Sequence, residues 1–248
     1  MSEKLSAVII TLNEEQALPK CLESLSFADE ILVIDSGSED RTVEIAQQLG
    51  ARVIHQDWLG YGKQKQFGVD QASHDWVLCV DADEWVSDEL ASSVNQALNN
   101  PSCEAYKFPR CNRFLGRWLR HGEGYPDYSL RLFDRRYGVW SDDPVHECVE
   151  VDGKVGSLKG DLMHESEEGL EDYLMKQNRY TSLQANELFA SGKKPSRIKM
   201  LLGPLWRFIK FYVIRQGWRD GIPGLIHIMI GCQNTFMKQV KVLEKVKK

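Results

Sequence analysis

Residues 75–88 read DWVLCVDADEWVSD, and the order of residue types within them decides the fold. Trp76-Val77-Leu78-Cys79-Val80 is a short continuous apolar run, the pattern of a strand buried on both faces. It stops abruptly at Asp81-Ala82-Asp83-Glu84. Carboxylates crowded at the tip of a buried strand repel one another and resist desolvation. A divalent cation held among oxygen ligands relieves that repulsion and can bridge to phosphate. In open α/β sheets ligands bind outside the carboxyl ends of the strands, which is where this cluster falls. Taken alone, the tripeptide reads more simply as a solvated acidic loop; the rest of the chain changes that.

Upstream, residues 5–12 (LSAVIITL) form another apolar run, followed by Asn13-Glu14-Glu15-Gln16. Asn and a Gln three residues later predict a capping box for a helix running to about Leu25. Glu30-Ile31-Leu32-Val33-Ile34 ends in Asp35-Ser36-Gly37-Ser38, and Glu39, Asp40 and Thr42 then open a helix that Gly50 closes. Arg52-Val53-Ile54 is a third strand, and residues 60–72 read as a helix with a basic, glycine-rich entry (Gly60, Gly62, Lys63, Lys65). This strand–helix alternation predicts a parallel sheet with right-handed crossovers and helices on both faces. After a helix over 87–99 the pattern shifts to short strands at 104–109, 129–133 and 145–151, expected as antiparallel additions to the same sheet. A long helix is expected over 169–190. Gly192-Lys193-Lys194-Pro195 reads as a hinge, so the expected domains are 1–192 and a helical region, 193–248, interrupted at Gly203-Pro204 and at 221–224.

The net charge of −5 is unevenly spread. Residues 193–248 carry 13 Lys and Arg against Asp220 and Glu244, a net +11, while the preceding residues carry 18 basic against 34 acidic groups, a net −16. Leu201, Leu202, Leu205, Trp206, Phe208, Ile209, Phe211, Tyr212 and Ile214 interleave with Lys199, Arg207, Lys210 and Arg215. Such helices suit an anionic membrane surface, apolar side down and cations at the head groups, or else a packing partner. The best apolar stretches are broken by Arg207 and Lys210 or by Pro223 and His227, so a membrane span is not expected. The six cysteines show no paired spacing, and the start at Met1-Ser2-Glu3-Lys4 lacks a signal-peptide pattern; reduced thiols in a cytoplasmic setting are expected. Neither G-x-G-x-x-G nor a G-x-x-x-x-G-K-S/T phosphate loop is present, which removes two nucleotide-binding classes.

The series T-L-N-E-E after the first strand, V-I-D-S-G-S after the second, K-Q-F-G-V-D-Q-A before the fourth and V-D-A-D-E at its end resembles the family-2 inverting glycosyltransferases of GT-A fold, from about Leu5 to about Glu165. The resemblance implies a nucleoside-diphosphate-sugar site. Thr11, Asn13, Glu14 and Asp35 match positions that hold base and ribose, and Lys65 falls where the family usually has Arg, implying phosphate contact. Asp81 matches the ribose-side acid of D-x-D, and Asp83 the ligand of a divalent cation, Mg²⁺ or Mn²⁺. Val145-His146-Glu147 after Arg131-Leu132-Phe133, Leu162-Met163-His164, and the G-x-x-D-G-x-x-G stretch from Gly217 to Gly224 are similar to a narrower branch, the bacterial lipopolysaccharide core β-glucosyltransferases. That branch implies UDP-glucose as donor, a lipid-linked inner-core oligosaccharide as acceptor, and a peripheral location on the inner face of the bacterial inner membrane, with no nucleic-acid partner.

An inverting transfer needs one carboxylate to take the acceptor hydroxyl's proton and a cation to neutralise the leaving diphosphate. Glu147 is the expected base, with Asp142 and Asp143 in reserve. His164 is the expected further metal ligand, and His146 either orients the acceptor or packs. Trp118, Tyr125, Tyr128 and Trp140 can stack on sugar faces or fill core, and Arg110, Arg113, Arg117 and Arg120 can meet a phosphorylated glycolipid or simply face solvent. Two further readings stand beside this one: the same fold acting on polyprenyl phosphate or a capsule precursor, and a non-catalytic module that binds a nucleotide sugar. A sugar-nucleotide pyrophosphorylase is disfavoured, because its glycine-rich start is missing.

Overall fold

The computed structural model describes residues 2–142, 147–166 and 169–247. The chain forms two compact units, one of Met1–Arg110 with Asp127–His164 and the other of Cys111–Pro126 with Glu165–Lys248. The expected boundary at 192/193 thus falls inside the second unit.

In the first unit, β1 (Leu5–Thr11), β2 (Glu30–Asp35), β3 (Arg52–His55) and β4 (Trp76–Asp81) alternate with α1 (Leu18–Ser24), α2 (Thr42–Gln48) and α3 (Tyr61–Gln71). They pair in parallel in the order β3-β2-β1-β4. Successive residues of β1 feed opposite cores: Leu5, Ala7 and Ile9 join one apolar cluster, Val8 and Ile10 the other. β4 divides likewise, with Trp76, Leu78 and Val80 on one side and Val77 and Cys79 on the other. Period-two burial on both faces is what a continuous apolar run produces in a sheet covered on both sides, at about 1.5–3 kcal/mol per large side chain. Gly68 lets α3 close onto the sheet; a Cβ there would lie 2.4 Å from Val8 Cγ1.

Beyond β4 the pattern changes as the sequence predicts. β5 (Glu84–Val86) and α4 (Asp88–Asn99), capped by Ser87 accepting from the Leu90 amide, lead to β6 (Ala105–Phe114), whose last residues pair with β7 (Arg117–Trp118) in the second unit. β8 (Asp127–Asp134) lies antiparallel to both β4 and β6. β9 (Gly138–Trp140) and β10 (Val149–Val151) form a separate two-stranded ribbon, so the strand expected at 145–151 is shorter and not part of the main sheet. β11 (Val155–Ser157) adds to β6, and β12 (Leu162–His164) completes the order β4-β8-β6-β12-β5.

The first expected cap is corrected. Asn13 adopts φ 55° and its side-chain oxygen accepts from the Glu39 amide 2.8 Å away, so it laces two strand-end loops together. α1 starts only at Leu18, without a side-chain cap. Asn is among the few residues that take the left-handed conformation readily, and a distant donor wins over the local one.

The second unit holds α5 (Leu170–Ala190), α6 (Arg197–Phe208), a π-helical stretch Ile209–Ile214, a 3₁₀ turn Gly217–Asp220 and α7 (Gly221–Lys247). α5 and α6 both pack on α7. The break expected at Gly203-Pro204 does not occur; α6 runs through Pro204. Proline forfeits one helical hydrogen bond, a loss that packing along α7 offsets. Asp220, 2% exposed, accepts from the amides of Arg120 (3.0 Å) and His121 (2.8 Å) and pairs with the His121 ring at 2.8 Å. The glycines around it are there for space: a Cβ on Gly217 would meet Ile228 Cδ1 at 2.4 Å, and one on Gly224 the Gly217 carbonyl at 2.7 Å. Among the described residues no helix is long and apolar enough to cross a membrane.

Candidate active site

The parallel register brings three strand ends side by side: Thr11 pairs with Asp35, and Ile10 with Asp81. The Thr11 hydroxyl is buried and has no hydrogen-bond partner among the described residues, an orphaned group that a ligand would satisfy. Asp35, 4% exposed, is turned into its own loop, accepting from the amides of Gly37 (2.9 Å) and Ser38 (3.1 Å) and from the Ser38 hydroxyl. Asn13 is tied to the same loop, its amide donating to Ser38 Oγ at 2.9 Å, and the Glu14 amide donates to Thr42 Oγ1 at 2.8 Å. These four expected base and ribose residues therefore lie together, Thr11 and Asp35 at the ends of β1 and β2 and Asn13 and Glu14 in the loop that follows β1.

Asp81 is the hub. Lys65 Nζ lies 3.0 Å from its Oδ1, and the Arg131 guanidinium donates to its Oδ2 at 3.0 Å. Burial alone would lift the Asp81 carboxyl, yet Arg131 and then Lys65 outweigh it and hold it well below the usual carboxylate range. Lys65 is 3% exposed, so its charge goes to Asp81 in preference to a solvent-facing phosphate. On its other side Lys65 stands 3.9 Å from Glu147 Oε1. Arg131 continues the chain to the fully buried Glu84 at 3.8 Å, and Glu84 to Arg110 at 3.5 Å. Six charges thus alternate in sign: Arg110, Glu84, Arg131, Asp81, Lys65, Glu147. Alternation allows ions to be buried that could not be singly. Trp140 packs beneath it, with Lys65 Nζ 4.9 Å and the Arg131 guanidinium 5.4 Å from its ring. At 6% exposed, its indole donating to Cys79 Sγ, Trp140 is core and not a sugar-stacking surface.

Asp83 does not share that network. Its Oδ2 lies 3.1 Å from His164 Nε2, on the neighbouring β12, and both side chains are about a quarter exposed. Burial lowers the His164 pKa, but the Asp83 carboxylate more than compensates, and the net direction is upward. Among the described residues no group of three or more His, Cys, Asp or Glu side chains is arranged to hold a metal. Two adjacent, half-open ligands do suit a hard cation that takes its remaining oxygens from a diphosphate, as Mg²⁺ sites commonly do. The pair fits an open metal site; it is not a closed one.

Asp142 is exposed and paired with Lys63 at 3.2 Å, while Asp143 and His146, with Val145 between Pro144 and His146, lie outside the described residues. Of the expected basic group, Arg110 belongs to the first unit, bound to Glu84 and to Asp127. Arg113 pairs with Glu165 in the second unit, where Arg117 donates to the Arg219 carbonyl. Tyr128 is exposed, and Trp118 and Tyr125 belong to the second unit. Sequence reasoning missed Arg131 as part of the site and counted Glu84 among the acids expected to gather a cation, where it is instead paired with Arg131 and Arg110. The available signal was a charge inside an otherwise apolar strand, Arg131 between Leu130 and Leu132.

Comparison with known proteins identifies the family and the fold. A model of glycosyl transferase family 2 matches residues 6–150. A lipopolysaccharide core biosynthesis glycosyltransferase, LpsC of Rhizobium meliloti, is 32% identical over 97% of this chain and 92% of its own. Among solved structures, S. aureus TarS (residues 1–349) with UDP-GlcNAc superimposes with a TM-score of 0.51 at 16% identity, over 96% of this chain and 81% of that one. Glucosyl-3-phosphoglycerate synthase from Mycobacterium tuberculosis, with Mn²⁺, UDP and phosphoglyceric acid, gives 0.51 at 18% identity, over 78% and 80%. The fold is of the GT-A type: a mixed sheet flanked by helices, here with basic amphipathic helices at the C-terminal end. The chain belongs to glycosyltransferase family 2 and is similar along nearly its whole length to a lipopolysaccharide core enzyme.

Proposed function

We propose that the protein is a metal-dependent, inverting hexosyltransferase that moves glucose from UDP-glucose, with β-linkage, onto the inner-core oligosaccharide of lipopolysaccharide. The observation that carries this reading is the Asp81–Lys65–Glu147 linkage, which sets a carboxylate able to act as base beside the strand tips. Thr11, Asn13, Glu14 and Asp35 form the base and ribose side, and Asp81 faces the ribose. Lys65 fixes Asp81 and Glu147 relative to one another. Glu147 accepts the proton of the acceptor hydroxyl as that oxygen attacks the anomeric carbon on the face opposite the leaving diphosphate. Asp83 and His164 hold the divalent cation, which when bound neutralises charge on the departing diphosphate.

The acceptor of such an enzyme is anchored in lipid, and the second unit suits an anionic bilayer. Ile198 and Leu201 are each 71% exposed and Trp206 60%, beside Lys199, Arg207 and Lys210. An apolar groove between α6 and α7, lined by Met200, Leu201, Pro204, Met229 and Phe236, adds to that face. These features support a peripheral location on the inner face of the inner membrane. The test is a donor screen by thermal shift with Mg²⁺ or Mn²⁺, then transfer assays with purified core lipid. Stabilisation by UDP-glucose and formation of a glucosylated core are expected; a different sugar nucleotide as sole stabilising donor would displace the glucose assignment.

A further inference from the structure

Glu84 ends the acidic motif at the tip of β4 and is its least accessible carboxylate. It is fully buried, whereas the Asp81 and Asp83 side chains are 27% and 25% exposed. A carboxylate at that depth cannot touch a ligand, and an apolar residue of similar size would avoid the cost of its desolvation. Its guanidinium partners do not hold it closely. Arg110 lies 3.5 Å and Arg131 3.8 Å from Oε1, which has no hydrogen-bond partner among the described residues. The short contact is with the backbone, for Oε2 accepts from the Asp81 amide at 3.0 Å. Stability alone does not account for this charge.

What the contact does is geometric. An acceptor three residues on ties the Asp81 amide across the turn formed by Ala82 and Asp83. The Asp81 carbonyl is gripped from its other side by the buried Cys21 thiol, at 3.7 Å. The backbone of Glu84 lies opposite His164 in the antiparallel β5–β12 register, and His164 Nε2 returns to Asp83 Oδ2 at 3.1 Å. One residue thus holds Asp81 with its side chain and faces His164 with its main chain, while Asp83 is bonded to it directly. Groups standing behind metal ligands fix the direction in which those ligands point.

We infer that Glu84 is a positioning residue for the transfer reaction: its buried carboxylate sets the turn so that Asp83 meets His164 on one cation. This rests on the proposed role of Asp83 and His164 as cation ligands. The test compares the full-length wild type, Glu84→Gln, Glu84→Asp and Leu98→Ala, a control that loosens the apolar cluster holding Val86 from the far end of α4. UDP affinity is measured by calorimetry in EDTA and across a Mn²⁺ titration. The electron paramagnetic resonance signal of bound Mn²⁺ and thermal melting are recorded on the same samples. Glutamine can accept from the Asp81 amide but then turns a donor toward the guanidinium groups; aspartate keeps the charge but falls short of the amide. Each is expected to raise the Mn²⁺ concentration needed to strengthen UDP binding by about tenfold or more. Metal-free UDP affinity should stay, because Lys65 and Arg131 still hold Asp81. Leu98→Ala should lower the melting temperature and leave the Mn²⁺ response unchanged. A wild-type Mn²⁺ response in either Glu84 variant overturns the inference, as does an equal fall in metal-free UDP affinity. An equal loss of response in Leu98→Ala, or failure of both Glu84 variants to fold, makes the residue structural and also overturns it. Wild-type UDP binding that ignores Mn²⁺ overturns the cation-ligand reading beneath it as well.

Discussion

Lys65 Nζ sits 3.0 Å from Asp81 and 3.9 Å from Glu147, bridging the end of β4 to the segment that follows β9. One buried ammonium thereby links the carboxylate proposed to face the donor's ribose to the carboxylate proposed as base. Removing it breaks an ion pair and leaves Asp81 to Arg131. Lys65→Met is expected to destabilise the protein in urea unfolding by less than the roughly 3–5 kcal/mol of a fully buried pair, because the Asp81 side chain is 27% exposed. Because Asp81→Asn removes the charge left behind, the double variant should cost clearly less than the sum of the single ones. Additive losses would show that the pair is not coupled.

Glu147→Gln keeps the shape of the side chain and removes its capacity to take a proton. Transfer should fall by about 10²–10⁴-fold, while UDP binding measured by calorimetry stays at the wild-type value. Turnover retained in this variant would reassign the base, with Asp142 and Asp143 next in line.

Asp83 and His164 pair with one another at 3.1 Å and are the proposed cation ligands. In the wild type, chelation by EDTA should weaken UDP binding and Mg²⁺ or Mn²⁺ should restore it. In Asp83→Ala and His164→Ala the same titration should show no metal dependence, with melting temperature little changed. UDP binding that is identical with and without metal in the wild type would remove the cation from the mechanism.

His227 gives the second unit a pH dependence. Its Nδ1 is buried with no hydrogen-bond partner among the described residues, between Phe114 at 5.4 Å and Tyr173 at 6.2 Å. Burial lowers its pKa below the ordinary 6.5, against the pull of Glu123 and with the push of Arg207. The unfolded chain therefore binds more protons in this range, so stability rises with pH. Its contribution is fully present above 6.5 and is lost as the pH falls through that value toward the folded pKa. His227→Phe should flatten the loss of melting temperature between about pH 7 and pH 5.

Leu201→Glu and Trp206→Glu place a charge on the most exposed apolar face of α6 and should change little within the fold. Flotation with vesicles containing anionic lipid should fall at least about tenfold, with melting unchanged. Binding that survives both substitutions would point to another surface.

The parallel half of the sheet was open to sequence reading because an apolar run ending in a carboxylate carries its own address. Period-two burial on both faces of β1 and β4 needs nothing from elsewhere in the chain. Asp81's true partners were not open to it, since Arg131 reaches it only because β8 lies antiparallel to β4, with Leu132 opposite Leu78. Crowded acids at the strand tip point to a cation, whereas the structure answers Asp81 and Glu84 with arginine and lysine; of the three acids, Asp83 alone is set beside His164. Asn13 shows a second limit: a side chain able to cap the helix beside it was drawn to an amide 26 residues away.

The G-x-x-D-G-x-x-G stretch also decides how the C-terminal end can be handled. Besides Asp220, which gathers Arg120 and His121, Arg207 grips Glu123 and Arg215 holds the Tyr125 carbonyl at 2.8 Å. Residues 111–126 are thus a mid-chain excursion whose anchors arrive about a hundred positions later. A shortened protein ending near residue 195 would emerge from the ribosome with that excursion untethered, so the last helices are a closing clasp and cannot be trimmed away as a removable anchor.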